Sequence, residues 1–457
     1  MPLTLLPLEV LTEIAKEVDW KTILTLRKTC RLLYQTSKIH TVWAHMYFQH
    51  LNASPATLRT EEPLDCYSAV ELERYVLRRA SADLAWKAEH PKPTRSCSIH
   101  HPWDRLCLVP GGRWLLTGSK TPSSVLVYDL DLPDPTPSIL LEEAGLYEPQ
   151  EVGNICVDLD DQAPTLTFNM ALSPANHRDT ATSVLQVHIW RVTLINHGRN
   201  ARLAAHHVKS FEAQGFDRIV ALALHGPLLA RGIITGAALH RFTYYEVFDW
   251  TKSTSSLHRK RTIFTKESHT DQIQFLPGDR LVIMYLHALI IYDISTLEDT
   301  SDSGAQLMEL DPTECLWRLP YGDRKLSTGK LSRPVSDAHA TYFGFKWSSG
   351  GCTLSRVAIP HDVSQPPAFI TLAVFRAETV YSITLGYEKG VISYQDRVCT
   401  VNFKWDGRCA IGIDMHDSSA LEFPCNDLAD FYLDEQSGRI IQDVGRGWVT
   451  VLDMAYV

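Results

Sequence analysis

The sequence predicts an α+β multidomain chain, with a small helical bundle at the front and a much larger all-β part behind it. Three observations carry this. Apolar residues recur at helical spacing up to about residue 95 and alternate beyond it, with short β-branched and aromatic runs set between Gly, Pro, Asp and Asn. Some of those later runs resemble one another. The charge balance also shifts there: residues 1–95 hold 13 basic and 11 acidic residues, which leaves 31 basic and 42 acidic, a balance of −11, to the remainder.

In the front part, Leu11, Ile14, Ala15 and Val18 fall at i, i+3, i+4 and i+7, which predicts an opening helix with Pro7 in its first turn, where a missing N–H costs nothing. Ile23, Leu26, Cys30, Leu33 and Tyr34 repeat the pattern after a break at Asp19-Trp20. A third helix is expected over Ile39 to Leu51 around Trp43, and a fourth over Cys66 to Glu89 with Val76, Leu84 and Trp86. The stretch from Asn52 to Asp65, with Pro55 and Pro63, reads as the loop between them.

In the second part, Leu108-Val-Pro-Gly-Gly-Arg-Trp-Leu-Leu precedes Val125-Leu-Val-Tyr-Asp-Leu130, and Leu276-Pro-Gly-Asp-Arg-Leu-Val-Ile-Met precedes Leu289-Ile-Ile-Tyr-Asp-Ile294. Both units run turn, strand, connection, strand ending in aromatic-Asp. Weaker relatives are Val187 to Val192, Tyr245 to Trp250 and Val449 to Asp453. Tyr128, Trp190, Phe248 and Tyr292 are 62, 58 and 44 residues apart, a range that includes and exceeds the roughly 40 to 50 residues of known blade repeats. The span therefore predicts a β-propeller of six to eight degenerate blades, with seven favoured. Arg439 to Val444 and Trp448 to Met454 read as two last strands that complete the ring, because a ring without free edges needs its final blade.

Charge and composition narrow the function. The formal charge of −9 argues against a general nucleic-acid or membrane-surface binder, since both need a basic face. The apolar run Leu281 to Tyr292 is too short to span a bilayer. Ten cysteines without a C-x-x-C pair suggest free, mostly buried thiols in a reducing compartment, cytoplasm or nucleus.

Chemical motifs fail on spacing. Gly322 to Ser332 has Arg324 where a phosphate-binding loop needs Gly and Leu331 where it needs a hydroxyl. Cys97, His100, His101 and Cys107 do not match a zinc-finger spacing, and His206-His207 reads as surface or satisfied core. The basic run His258 to Arg261 reads as a solvated loop. No nucleophile elbow or placed carboxylate pair is present, so no catalytic residue, metal or cofactor is expected.

Leu6-Pro7-Leu8-Glu9-Val10-Leu11, then Ile14, Val18, Ile23-Leu24, Leu26, Cys30-Arg31 and Trp43, resemble the F-box in order and spacing over roughly 45 residues. Lys21, Thr29 and Leu33 depart from the usual pattern. With Val70 to Ala80, Trp86 and the Leu108 unit, the layout resembles fungal F-box proteins that carry a WD-repeat-like propeller. The resemblance implies an F-box at 1–50, a linker helix region at 51–95 that acts as a spacer, and a propeller at 96–457.

It further implies docking on a Skp-type adaptor, and through it a cullin scaffold, by Leu6, Pro7, Leu11, Ile14, Leu24 and Cys30, with Trp43 bracing the bundle. The propeller would then grip a protein target, as the non-catalytic receptor of a ubiquitin ligase. A propeller enzyme or scaffold whose helices are only a cap is the competing reading.

Overall fold

The computed structural model describes residues 5–53, 60–88, 91–100, 105–118, 124–142, 152–174, 185–213, 218–235, 242–253, 260–265, 272–285, 287–297, 299–300, 312–320, 325–326, 334–337, 339–348, 352–375, 380–394, 398–405, 410–417, 430–445 and 447–455. Among the described residues, five α-helices precede seven sheets. The first, α1 (Leu8–Lys16), begins one residue later than expected: Pro7 is extended and sits just before the helix, and its carbonyl accepts from the Leu11 N–H at 3.1 Å. Asp19 caps α2 (Trp20–Leu26) by accepting from the Thr22 N–H at 2.7 Å.

The pattern that reads as one helix from Ile23 to Tyr34 is two. The Thr29 hydroxyl bonds back to the Leu26 carbonyl at 2.7 Å, and Cys30 turns fully extended before α3 (Arg31–Thr36). A local side-chain bond of this kind competes with helix continuation. In α4 (His40–Ala53) the buried Trp43 donates its Nε1–H to the Ser37 carbonyl at 2.8 Å, which ties α4 to the end of α3.

The last helix, α5 (Ala69–Trp86), starts three residues after the expected Cys66, because Ser68 and Glu71 form a reciprocal capping box there. Its two halves serve two cores. Leu72 and Val76 pack with Ile23, Val42, Trp43, Met46 and Tyr47 inside the bundle. Ala85 and Trp86 pack with Val391, Val398, Phe431, Ile440, Leu452 and Met454 of the sheets. The helix expected to be a spacer is thus embedded at one end in the propeller.

The sheets form a seven-bladed propeller of antiparallel blades, and in blades I to VI the strands run in chain order from the centre outward. Blade I is Arg105–Leu108, Trp114–Gly118, Val125–Asp129 and Pro137–Leu141; blade II runs from Val152–Leu159 to Arg202–Ala213. Blade III starts at Arg218–His225, blade IV at Gln272–Leu276, blade V at Lys325–Leu326 and Val335–Ser336, and blade VI at Val380–Leu385. The apolar run Leu281 to Tyr292 is a hairpin of blade IV, and no helix among the described residues is long and apolar enough to cross a membrane.

Blade VII joins both ends of the ring. Its strands Asp430–Asp434, Arg439–Gly445 and Trp448–Asp453 come from the C-terminal segment, as expected, and its outermost strand is Arg95–His100. That strand pairs antiparallel with the last one, from Arg95 opposite Asp453 to His100 opposite Trp448. Sequence reading missed the pairing, because Arg-Ser-Cys-Ser-Ile-His has one fully buried position and little apolar signal.

Each interface between neighbouring blades holds one apolar cluster, for example Val109, Leu116 and Val127 of blade I against Phe168, Met170 and Val192 of blade II. The seam between blades VII and I is sealed by Ile441, Val449 and Val451 against Leu106, Leu108 and Leu115. The interface of blades VI and VII is completed by a helix, through Trp86.

The described cysteines are free thiols, and only Cys107 and Cys399 are buried, fewer than expected. The described atoms of the failed zinc pattern lie apart in the fold, Cys97 on blade VII and Cys107 on blade I; His101 lies outside the described residues. The Gly322 to Ser332 loop also lies outside them except for Lys325–Leu326, as do His258 and Arg259; Lys260 and Arg261, expected as loop, instead open the blade III strand Lys260–Thr265.

Candidate functional site

Strand alternation puts the turn between first and second strands, and that between third and fourth, on one face of a propeller. The helices sit on this face. Carboxylates there tie blade to blade: Asp434 accepts from the Gly111 N–H at 2.9 Å, Asp158 from the Gly226 N–H at 2.7 Å, and Glu435 from the Tyr387 N–H at 2.5 Å.

The joint between helices and ring is built from paired charges. Trp114 Nε1–H and Arg113 Nη1 donate to the two oxygens of Glu61 at 2.7 and 2.8 Å, and His197 bonds Glu62 at 2.7 Å. Arg78 of α5 meets Asp131 at 2.5 Å, and the fully buried Arg439 holds Asp453 at 2.6 and 3.1 Å. Burial opposes ionisation of Asp131, but Arg78 and Arg439 outweigh it and hold its carboxyl far below the usual range. Asn402 donates to the Trp86 carbonyl at 2.8 Å, and Lys389 meets Asp83 at 3.0 Å.

Sequence reasoning missed these residues, although a signal was present. Arg113 and Arg439 each follow a glycine of positive φ, Gly112 at 76° and Gly438 at 68°; Arg113 stands just before a second strand and Arg439 opens one. Their partners Asp129 and Asp453 end third strands. In blades I and VII the final Asp is therefore the counter-ion of the Arg in the preceding turn, whereas in blade IV Arg280 donates to the Pro277 and Pro360 carbonyls and Asp293 accepts from the Ser295 N–H.

The residues singled out for adaptor binding divide into two groups. Leu11 and Trp43 are buried within the helical part, so in this state they shape it and offer no surface. Leu6, Ile14, Leu24 and Cys30 are half-buried, and Pro7 is exposed. Around them lie apolar residues left in the open: Leu5 is 63% exposed, Leu8 44%, Val10 43% and Tyr34 49%. The pieces that grip the ring, Glu61, Glu62, Arg78 and Trp86, belong to other segments of the helical part. Among the described residues no group of three or more His, Cys, Asp and Glu side chains is placed to hold a metal ion.

No protein-family model matches the chain, and no curated protein matches it. Among solved structures the chain is similar to Sqt1 of Chaetomium thermophilum bound to the N-terminus of ribosomal protein L10, at 15% identity and a TM-score of 0.41 over 76% of this chain and 83% of that one. It is also similar to Sqt1 of the same fungus alone, at 14% identity and a TM-score of 0.40 over 76% and 82%. A likeness this distant carries nothing about partners.

Proposed function

We propose that the chain is a receptor subunit: α1 to α3 dock on a Skp-type adaptor of a cullin ubiquitin ligase, and the propeller captures a protein target. The observation that supports it most is the outward apolar set Leu5, Leu8 and Val10, with Leu6, Ile14 and Leu24 beside it, on a bundle that is fastened to the ring by other residues. Burying such side chains in a partner's groove is a common mode of helix recognition. It coincides with the Leu6-Pro7-Leu8-Glu9 stretch that resembles the F-box.

In this reading the chain makes and breaks no bond; it raises the local concentration of a target lysine near the ubiquitin carrier. Trp86, Arg78 and Glu61 would fix the angle between the two arms. The competing reading, helices that merely cap the propeller, draws on the same burial of Trp86, but leaves Leu5, Leu8 and Val10 without a role. Mixing the full chain with a purified Skp-type adaptor decides between them: a one-to-one complex in gel filtration is expected, and separate elution rejects the receptor reading.

A further inference from the structure

A cleft of about 1360 Å³ lies between α5, the end of α4 and the central turns of the propeller, and one of its walls carries an unanswered cation. Arg79 is only 5% exposed, and its Nε–H has no acceptor among the described residues. No described hydrogen bond or ion pair reaches its guanidinium. One face lies 3.4 Å over the Tyr75 ring, which satisfies the plane of the group and leaves its N–H edges free.

The neighbouring carboxylates are committed elsewhere. Asp83, one turn further along α5, is held by Lys389 at 3.0 Å and by Lys87 at 2.6 Å. Glu435 accepts from the backbone N–H groups of Tyr387 and Glu388, and the Glu388 side chain is exposed. A buried donor without an acceptor costs free energy, more so when it is charged.

A second group registers the same imbalance. His50 of α4 lines the same cleft, and its pKa is lowered by burial and then by the positive charge of Arg79 and, after the opposing Asp83, of Lys389. Arg79 and Lys389 thus place two positive charges beside His50 on the lining of the cleft.

We propose that this cleft binds a small anion-bearing ligand, whose phosphate or carboxylate group sits against the N–H edge of Arg79 beside His50 and Lys389. Arg is suited to both groups because its planar fork offers two parallel donors. With walls from helices and ring alike, a bound ligand would join the two parts. The site is independent of the adaptor reading.

The test is calorimetric titration of the full chain with inorganic pyrophosphate and, in a parallel arm, succinate, at fixed ionic strength. Saturable binding of one of them supports the site and tells phosphate from carboxylate. Arg79→Gln is expected to weaken it by about tenfold or more, Arg79→Lys less, and Arg105→Gln, exposed on blade I, not at all. Should Arg79→Gln fail to fold, the wild-type melting temperature replaces it: the anion should raise it where sodium chloride of equal ionic strength does not. Absence of saturable binding in both arms, or equal affinity in Arg79→Gln, overturns the proposal.

Discussion

The ring and the helical bundle treat apolar surface in opposite ways. Every interface between blades is filled, and the ring is closed by pairing Arg95–His100 with Trp448–Asp453, so the outer edge of the last strand is not left open. The bundle fills its centre with Ile23, Val42, Trp43 and Leu72 but leaves Leu5, Leu8 and Val10 outside. Helix α5 belongs to both, with Leu72 and Val76 in one core and Trp86 in the other. The contrast teaches that, within one short module, the residues that hold the fold and the apolar residues left at its surface are different ones.

The contrast breaks most severely if the ring can dispense with its ends. A chain ending at Ser437 loses two strands of blade VII and the partner of Arg95–His100, and should show no cooperative melting. A soluble truncated protein with a sharp calorimetric transition would refute the closure. Next in size, Trp86→Ala should cost about 3–5 kcal/mol and lower the melting of the ring, although the residue lies in a helix. Trp43→Ala should cost a similar amount locally, releasing the bundle's amides to hydrogen exchange while those of the blades stay protected.

Acid should weaken blade II before it reaches the Glu73 ion pairs of the bundle. Burial pushes the His188 imidazole down to about 4, so it stays neutral in blade II while an unfolded chain takes up its proton near 6.5. The stability that depends on it is complete above about pH 6.5 and declines as the pH falls toward 4, by up to about 3 kcal/mol. In the bundle, Glu73 is held down by Arg27 and Lys38 against its burial, so its contribution falls away only below its ordinary value of 4.5. Urea melts of wild type and His188→Gln across that range check this: the variant should show the shallower decline.

Gly438→Ala sharpens the joint. Its φ is 68°, and an added Cβ would stand 2.5 Å from that of Ala82 on α5, so a loss of about 1–3 kcal/mol is expected in thermal melting. An unchanged melting temperature would mean that α5 does not press on the ring there.

Much of the architecture was legible because the blades repeat a physical device. Tyr128, Trp190, Phe248 and Tyr292 all proved to lie on third strands, and the Asp after Tyr128 answers the Arg after Gly112. The helices were legible from their 3.6-residue period, except where a local bond at Thr29 or a capping box at Ser68 moved a boundary. What stayed hidden depends on distant partners. Glu61 reads as loop, and only the fold brings Arg113 and Trp114, more than fifty residues on in the chain, to its two oxygens. Leu11 and Leu8 look alike in sequence, and the turn of α1 alone decides that one is core and the other surface.

That division between core and surface is the central claim, and Leu8→Asp tests it most directly. The substitution touches an exposed position, so the melting temperature should change by no more than about 0.5 kcal/mol of stability allows, while binding of a Skp-type adaptor, read by calorimetry on the full chain, should be lost. Adaptor binding at wild-type affinity by a normally folded Leu8→Asp protein would contradict the account.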